Sequence, residues 1–306
     1  MNPISDRILT KLGDKELIDK LSTLSRSDFN SLLLNIFKSQ AQNTAPIDIL
    51  KAFQANRFSV PSKLDPVAYH LFEAEFLSLA QKADLKAVLL SPAAPFSSSS
   101  AFGCVDQNNV VSATRGVEIL SDPTNMLAII IADQLKNKEA DNLTPIHYCT
   151  TARTLRAQAF PNKKGYYSHF GIFCIVSSGK DNGSYACEKE LLSKQLNFYR
   201  KALFEKYGAN LSIILRKRPG YTDTDGFFDR MVKFMEDEFP DIPIQLNLEN
   251  EENHYYTGIN YTIIMEKDNQ IIEIGDGGFV DWTQQMTNNR KERCLISGIG
   301  LDRLLI

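Results

Sequence analysis

The last fifty residues constrain the fold most strongly, because they alternate β-prone runs with glycines in a fixed order. Residues 261–265 and 271–274 flank a Lys-Asp-Asn turn, which is the pattern of an antiparallel hairpin. A third apolar run, 294–296, leads into Gly298-Ile299-Gly300 and then into a predicted helix at Leu301. This stretch therefore predicts three strands and a helix, with glycines where a ligand or another backbone comes close.

The glycine-flanked strand end admits two interpretations. Free backbone N–H groups at a helix N-terminus attract anions, and Arg303 lies one turn inside the predicted helix. A Gly-x-Gly pair by itself is a weak sign of a site and more often marks a close-packed corner between a strand and a helix. The residues alone do not decide between an anion site and such a corner.

Composition narrows the classes of function. A chain of 306 residues suffices for one large domain or for a core with a small appendage. Hydrophobic residues make up 43% and charged residues 23%, as in soluble globular proteins. The net charge of -3 argues against a strongly nucleic-acid-binding chain.

Cysteine usage and the N-terminal sequence indicate a cytoplasmic protein. The 5 cysteines are scattered and never form a Cys-x-x-Cys pair, so we expect buried thiols in a reducing compartment rather than disulfides or a zinc site. The N-terminal residues lack the apolar segment of a signal peptide, and the run LAIII is too short to span a bilayer. We therefore expect no association with membranes.

Residues 1–62 predict a small helical module in three pieces. Ser27 or Asp28 is the predicted N-cap of the second piece, and Thr44 with Pro46 opens the third. The apolar residues at helical spacing are Leu17, Ile18, Leu21 and Leu24, then Leu32, Leu33, Ile36 and Phe37, then Ile49, Leu50 and Phe53. Mixed charges favour a packing appendage over a unit that docks RNA or a protein partner, and both remain open. Residues 58–62 are the predicted linker to a core of residues 63–306.

The core is predicted to begin with an amphipathic helix after Asp65-Pro66, followed by the strand KAVLLSP. The side chains predicted to face inward from this helix are Leu71, Phe72, Phe76, Leu77 and Leu79. A serine-rich loop, a hairpin around Arg115-Gly116 and a helix capped by Ser121 or Asp122 come next.

Residues 146–179 form a second informative block, which predicts a strand, a polar loop and a returning strand. Arg156, the loop lysines Lys163 and Lys164, and Phe170 on the return strand are suited to a nucleotide. A guanidinium binds phosphate in a bidentate manner, the lysines add positive charge, and the ring offers a stacking face. A separate basic cluster, residues 216–218, predicts a solvated loop or, alternatively, a phosphate acceptor.

HYYTG, GDGG and GIGLDR, in this order and spacing, resemble the end of the catalytic core of class II aminoacyl-tRNA synthetases. The likeness is greatest to the histidyl enzyme and to the regulatory subunit of ATP phosphoribosyltransferase. The resemblance covers roughly residues 65–306. It implies an α+β core with a central, mostly antiparallel sheet flanked by helices. It also implies a homodimer whose interface includes the helix after Asp65 and Pro92.

The resemblance also implies a binding site for ATP, Mg²⁺ and a small carboxylic acid. Arg156 and Arg303 match the catalytic arginines that hold the triphosphate, and Phe170 matches the phenylalanine that stacks on adenine. The implied nucleotide-binding set is Arg156, Gln158, Lys163, Lys164, Phe170, Gly298, Gly300 and Arg303. The implied acid pocket is Tyr255, Tyr256, Thr257, Gly258, Gly277 and Gly278.

Three departures from the histidyl enzyme bear on function. Ile172 and Val176 replace its substrate-binding glutamine and glutamate, and Glu251 replaces an arginine important for activation. The chain also stops soon after Arg303, so we do not expect an anticodon-binding domain or a complete tRNA synthetase. The departures leave the identity of any acid and acceptor undetermined.

Two functions stay open. The first is an ATP-dependent ligase that adenylates a carboxylic or amino acid other than histidine for transfer to a small molecule, a protein or RNA. The second is a catalytically silent paralogue that serves as a regulatory or ligand-sensing subunit. Both arginines favour the ligase, whereas Glu251, Ile172 and Val176 favour the silent subunit, so enzymatic activity is left undecided.

Overall fold

The computed structural model describes residues 3–138, 144–159, 167–248, 253–267 and 270–305. The helices within these ranges are α1 Pro3–Leu12, α2 Leu17–Ser22, α3 Arg26–Gln42, α4 Pro46–Ala55, α5 Pro66–Lys82, α6 Ser98–Ala101, α7 Pro123–Asn137, α8 Ala186–Tyr207, α9 Thr224–Glu238, α10 Trp282–Thr287 and α11 Leu301–Leu304. The strands are β1 Lys86–Ala87, β2 Ala93–Pro95, β3 Val117–Ile119, β4 Ile146–Leu155, β5 His169–Lys180, β6 Asn210–Lys217, β7 Ile244–Asn247, β8 Thr257–Lys267, β9 Gln270–Val280 and β10 Glu292–Gly300.

Eight of these strands form one sheet in the order β1-β4-β5-β10-β9-β8-β6-β7. The two outermost pairs, β1 with β4 and β6 with β7, are parallel, and all pairs between them are antiparallel. The predicted α+β architecture is therefore confirmed. The hairpin predicted at the C-terminal end is β8 and β9, and the third predicted strand is β10, which lies between β9 and β5.

Alternate side chains of the central strands enter two different hydrophobic cores. Phe173 of β5 and Leu295 of β10 pack in the larger core together with side chains of α5, α8 and α9. Cys174 and Ile296, one residue further along each strand, pack in the smaller core with α7 and Trp282 of α10. Within the described ranges, a cavity opens on this second face of the sheet at Gly298, and the candidate site lies there.

Two predictions in the first part of the core need correction. Leu71 of α5 is 62% exposed rather than inward, because Tyr69, Phe72, Phe76 and Ala80 form the buried face of the helix. The strand predicted for KAVLLSP is reduced to β1, since only Lys86 and Ala87 pair with β4. Asp65 caps α5 as predicted, with its carboxylate 2.7 Å from the backbone nitrogen of Ala68.

The segment between α5 and α7 is more ordered than its sequence indicated. The serine-rich loop contains β2 and the short helix α6, and Ser98 and Ser99 are buried. The predicted turn at Arg115-Gly116 is confirmed, since both residues adopt positive φ and Ala113 N donates to Val117 O across the turn. Asp122, rather than Ser121, caps α7 through the backbone nitrogen of Thr124.

The N-terminal module has little core of its own. A helix that the sequence analysis missed, α1, precedes the three predicted pieces, and Ser25 rather than Ser27 or Asp28 caps α3. In the described part of the module Leu9 is the buried hydrophobic residue, whereas α2, α3 and α4 bury none. Isolated helices of this length are marginal in water, so contacts with the rest of the chain hold this module in place.

The cysteines are free thiols, but Cys104 is exposed, which corrects the expectation that all five are buried. Within the described ranges, every helix is too short or too polar to cross a bilayer.

Candidate functional site

Two adjoining cavities open where the second helical layer ends. One, which we name the arginine cavity, has a volume of about 320 Å³. The other, the tyrosine cavity, has a volume of about 260 Å³ and is lined by Tyr255 and Tyr256. Arg156, Gln158 and Asp276 line both cavities and form the wall between them.

The arginine cavity brings together six residues that the sequence analysis assigned to the nucleotide. They are Arg156, Gln158, Phe170, Gly298, Gly300 and Arg303. Strand pairing explains this assembly, because Gly300 lies opposite Ile172 and Gly298 lies opposite Cys174 in the β5–β10 register. A Cβ added at Gly298 would come within 3.0 Å of Ile172 Cδ1, so the glycine keeps the cavity floor open.

Arg156 stands at the junction of the two cavities. Its Nε donates to the carbonyl oxygen of Ser121 at 3.0 Å, and its guanidinium carbon lies 5.2 Å from the centre of the Phe170 ring. Its backbone nitrogen donates to Ser168 O at 2.8 Å, which continues the pairing of β4 with β5. The guanidinium is thus held between a carbonyl and an aromatic face, where its planar fork can bind phosphate or carboxylate.

Arg303 follows the buried end of β10. Its Nη1 donates to Glu273 O at 3.2 Å, and its aliphatic carbons pack at 3.6 Å from the Cβ position of Gly300. The neighbouring Asp302 is buried, accepts from the backbone nitrogen of Gly171 at 2.7 Å and pairs with Arg153 at 3.2 Å. These contacts fix the backbone that carries Arg303.

The helix predicted at this position is a single turn, α11. Its dipole is too small to form the anion site considered from the sequence, because the macrodipole grows from many aligned peptide units. Positive charge at this end of the cavity therefore comes from the Arg303 side chain.

The tyrosine cavity contains two carboxylates, each bound by one tyrosine. Tyr255 Oη donates to Asp122 Oδ2 at 2.9 Å, and Tyr256 Oη donates to Asp276 Oδ2 at 2.7 Å. Burial, and then the charges of these aspartates, raise the pKa of both phenols well above the ordinary value. The tyrosines therefore stay protonated and act as hydrogen-bond donors.

Burial also raises the pKa of Asp276, and the charge of Asp122 raises it further. The hydrogen bond from Tyr256 and the positive charges of Arg156 and Arg303 oppose this shift. Two carboxylates that face one cavity create a negative environment that a bound cation would relieve. The tyrosine cavity is therefore suited to an ammonium group.

Sequence reasoning missed both aspartates as site residues. Asp122 was interpreted as a possible helix cap, and it does cap α7. Its second carboxylate oxygen also accepts the hydrogen bond from Tyr255 in the tyrosine cavity. Asp276 belongs to the GDGG motif, of which only the glycines Gly277 and Gly278 were assigned to the site. The alternation of β9 was the available signal, because Asp276 and Gly278 share a strand face and Gly278 packs on Tyr256.

Four residues assigned to the acid pocket lie outside the two cavities. Gly278 supports the Tyr256 ring from below, whereas Gly277 faces Tyr261 on the opposite side of the sheet. Thr257 begins β8 and packs on Gly220, and Gly258, at φ +68°, packs on Phe227 and Tyr221. These four positions shape the walls that carry the tyrosines.

The other positions singled out from the sequence lie outside the described residues, in the arginine cavity or in the protein interior. Lys163, Lys164 and Glu251 lie outside the described residues. Ile172 lines the arginine cavity, and Val176 is fully buried in the smaller core. Arg218, which was expected in a solvated loop, is 3% exposed and its Nε donates to Asn260 Oδ1 at 2.6 Å.

Among the described residues, no group of three or more histidine, cysteine, aspartate or glutamate side chains is arranged to hold a metal ion.

Comparison with known proteins identifies the fold. No protein-family model and no curated protein sequence matches the chain. Histidyl-tRNA synthetase from S. aureus matches in structure with a TM-score of 0.58 and 13% identity over 80% of this chain and 68% of that one. An ATP phosphoribosyltransferase regulatory subunit/histidyl-tRNA synthetase from Bacillus halodurans matches with a TM-score of 0.58 and 11% identity over 81% of each chain.

A threonyl-tRNA synthetase structure from Cryptosporidium parvum, described as its RNA binding domain, gives a TM-score of 0.62 at 10% identity. It covers 81% of this chain, which spans 64% of that one. Identities this low establish shared architecture and leave function to be argued from the site. The chain therefore has the fold of the class II aminoacyl-tRNA synthetase core.

Proposed function

We propose that this protein binds ATP in the arginine cavity and an amino acid other than histidine in the tyrosine cavity, and joins them as an aminoacyl adenylate. The observation that carries the proposal is the shared wall, since Arg156, Gln158 and Asp276 line both cavities. Ligands in the two cavities would meet at this wall. Holding two reactants in contact is a large part of catalysis for such a reaction.

The arginine cavity has the groups that ATP requires. The Phe170 ring offers a face for adenine, and two arginines that line the cavity, Arg156 and Arg303, can neutralise the phosphates. Mg²⁺ would accompany the triphosphate, because this ion binds through phosphate oxygens with only one or two protein carboxylates.

The tyrosine cavity has the groups that an amino acid requires. Asp122 and Asp276 would hold the ammonium group, and their hydrogen bonds from Tyr255 and Tyr256 fix the carboxylates in position. Where the resemblance places a substrate-binding glutamine and glutamate, this chain has Ile172, in the arginine cavity, and Val176, in the smaller core. Neither side chain supplies the hydrogen bond that would select histidine. Substrate selection would then depend on the remaining, mainly polar walls of this cavity.

The proposed reaction is attack by the amino-acid carboxylate on the α-phosphorus of ATP. A bond forms between the carboxylate oxygen and phosphorus, and the bond to the bridging oxygen breaks as pyrophosphate leaves with the electron pair. Arg156 lines both cavities and would stabilise the negative charge that develops on the α-phosphate during this attack.

A catalytically silent, ligand-sensing subunit is the second candidate. It is favoured by Ile172, which presents an apolar side chain to the arginine cavity, and by the buried Val176. Such a protein would bind the same ligands without exchanging pyrophosphate.

Pyrophosphate exchange into ATP, assayed with a pool of amino acids, separates the two candidates. The ligase predicts exchange that one amino acid supports, and Asp122→Asn should raise the KM for that amino acid by about tenfold, because one charged partner of the ammonium is lost. Arg230→Ala, an exposed arginine of α9, is the matched control and should leave exchange unchanged. Ligand binding without exchange would favour the silent subunit.

The homodimer implied by the resemblance is also proposed for this chain. Val67 and Leu71 are exposed apolar residues on α5, the helix expected at that interface. Analytical ultracentrifugation should find a dimer that Leu71→Asp weakens, and a wild-type monomer at micromolar concentration would contradict the proposal.

A further inference from the structure

The segment that joins the N-terminal module to the core crosses the base of the connection between β4 and β5. Arg57 Nη1 donates to Gln158 O at 3.0 Å and to Ser168 Oγ at 2.7 Å. Its Nη2 donates to Ala157 O. One guanidinium thus binds the departing chain at residues 157–158 and the returning chain at residue 168, directly beside Arg156.

A second contact from the same segment connects, through two side chains, to Asp302, which lines the arginine cavity. His169 Nε2 lies 2.6 Å from Val60 O, and Arg153 Nε donates to His169 Nδ1 at 2.9 Å. Because the Nε of an arginine can only donate, Nδ1 accepts this bond, and Nε2 donates to Val60 O. Arg153 in turn pairs with Asp302, the neighbour of Arg303.

We propose that Arg57 is a positioning residue for the nucleotide site, through which the N-terminal module sets the placement of Arg156 and Gln158. This inference rests on the proposed function, because Arg57 would act on ATP binding only through Arg156 and Gln158. After β4 ends at Leu155, two backbone hydrogen bonds hold the described start of the β4–β5 connection. Arg156 N donates to Ser168 O, and Ala157 N donates to Asn109 O. The Arg57 guanidinium holds the next two residues of the chain by donating to Ala157 O and Gln158 O.

The residue type matters to this role. A guanidinium presents N–H groups on separate nitrogens in a fixed plane, so it can bind two carbonyl oxygens and a hydroxyl together, whereas the three donors of a lysine ammonium share one nitrogen. Packing against the Phe58 ring, 4.4 Å from the guanidinium carbon, orients that plane. We therefore expect Arg57→Lys to restore only part of the function that Arg57→Ala removes.

The test compares Arg57→Ala and Arg57→Lys with Arg26→Ala, a control in the same module whose guanidinium lies over Phe96. Hydrogen exchange of the free protein is measured at the amides of residues 155–158 and 168–170, together with the affinity for Mg·ATP. We expect Arg57→Ala to speed exchange at these amides by about tenfold and to weaken Mg·ATP binding by a similar factor, with an unchanged melting temperature. Arg57→Lys should fall between Arg57→Ala and wild type.

Coupling to Ser168 provides an independent measurement. Ser168→Ala removes one acceptor of Arg57, so its effect on Mg·ATP affinity should largely disappear in the Arg57→Ala background. Fully additive effects, or exchange at the loop base equal to that of wild type, would overturn the inference. If the wild-type protein binds no Mg·ATP, the proposed function fails, while the exchange measurement still decides whether Arg57 holds the loop base.

Discussion

Replacing Gly298 with alanine should weaken nucleotide binding without unfolding the protein. Gly298 lies on the floor of the arginine cavity, on the strand face that also carries Ile296 of the smaller core. A methyl group there would point into the space that we assign to ATP.

The structure gives the expected magnitudes. The new Cβ would lie 3.0 Å from Ile172 Cδ1 and 3.6 Å from Cys174 Cβ. The end of the Ile172 side chain can shift by a few tenths of an ångström, so we expect the free energy of unfolding to fall by less than about 1 kcal/mol. One misplaced methyl group in a binding pocket costs about 1–3 kcal/mol, so the affinity for Mg·ATP should fall by about tenfold to a hundredfold.

Calorimetric titration with Mg·ATP and urea denaturation of the same preparation measure the two effects. Cys174→Ala is the matched control, because Cys174 lies opposite Gly298 in the register and is fully buried outside both cavities. This control should lower stability by about 1 kcal/mol and leave Mg·ATP affinity unchanged. If Gly298→Ala binds Mg·ATP as wild type does, the floor of the cavity does not contact the nucleotide and our placement of ATP is wrong.

Three further predictions concern stability. Asp302→Ala should lower the free energy of unfolding by about 2–4 kcal/mol in urea, because it leaves the buried Gly171 N–H without its acceptor; a loss below 1 kcal/mol would contradict this role. Burial lowers the pKa of His147 to about 4. Between pH 6.5 and 4 this imidazole is therefore protonated in the unfolded chain but neutral in the folded chain. Stability should therefore fall by up to about 3 kcal/mol over that range as the pH drops, and His147→Gln should flatten the profile measured by urea denaturation. Phe76→Ala should cost about 3–5 kcal/mol in the same assay, since Phe76 is fully buried between aromatic rings, and a small loss would mean that the larger core refills the space.

Local patterns predicted the centre of the fold well. The hairpin of β8 and β9, the return strand β10 and the β4–β5 pair each followed from apolar runs separated by turn residues. Their association into one sheet with the class II synthetase fold came from the resemblance of the motifs, because neither hydrophobic period nor turn chemistry specifies which strands become neighbours. The same resemblance placed Arg156, Phe170 and Arg303 in one group, and all three line one cavity.

The errors arose where tertiary contacts override the local pattern. Leu71 is apolar and lies beside inward residues, yet the face of α5 that meets the sheet is set by Phe72 and Phe76. Arg218 appeared to belong to a solvated basic loop, but a hydrogen bond with Asn260 of β8 keeps it buried. Such contacts between distant segments leave no periodic signal in the sequence.

The candidate site was incomplete for a related reason. Whether an aspartate in a strand faces a cavity depends on register and on bulges, and β8 contains two irregularities in its pairing with β9. The sequence therefore did not predict that the Asp276 side chain lines a cavity. The contacts of Arg57 span more than one hundred residues of sequence and belong to the same category.

The most direct test of the account is a calorimetric titration of the purified chain with Mg·ATP, carried out alone and with a pool of amino acids. We expect one nucleotide per chain bound in the micromolar range, and tighter binding when the pool contains the amino acid that fits the tyrosine cavity. An absence of Mg·ATP binding under both conditions would contradict the assignment of the arginine cavity and the function proposed from it.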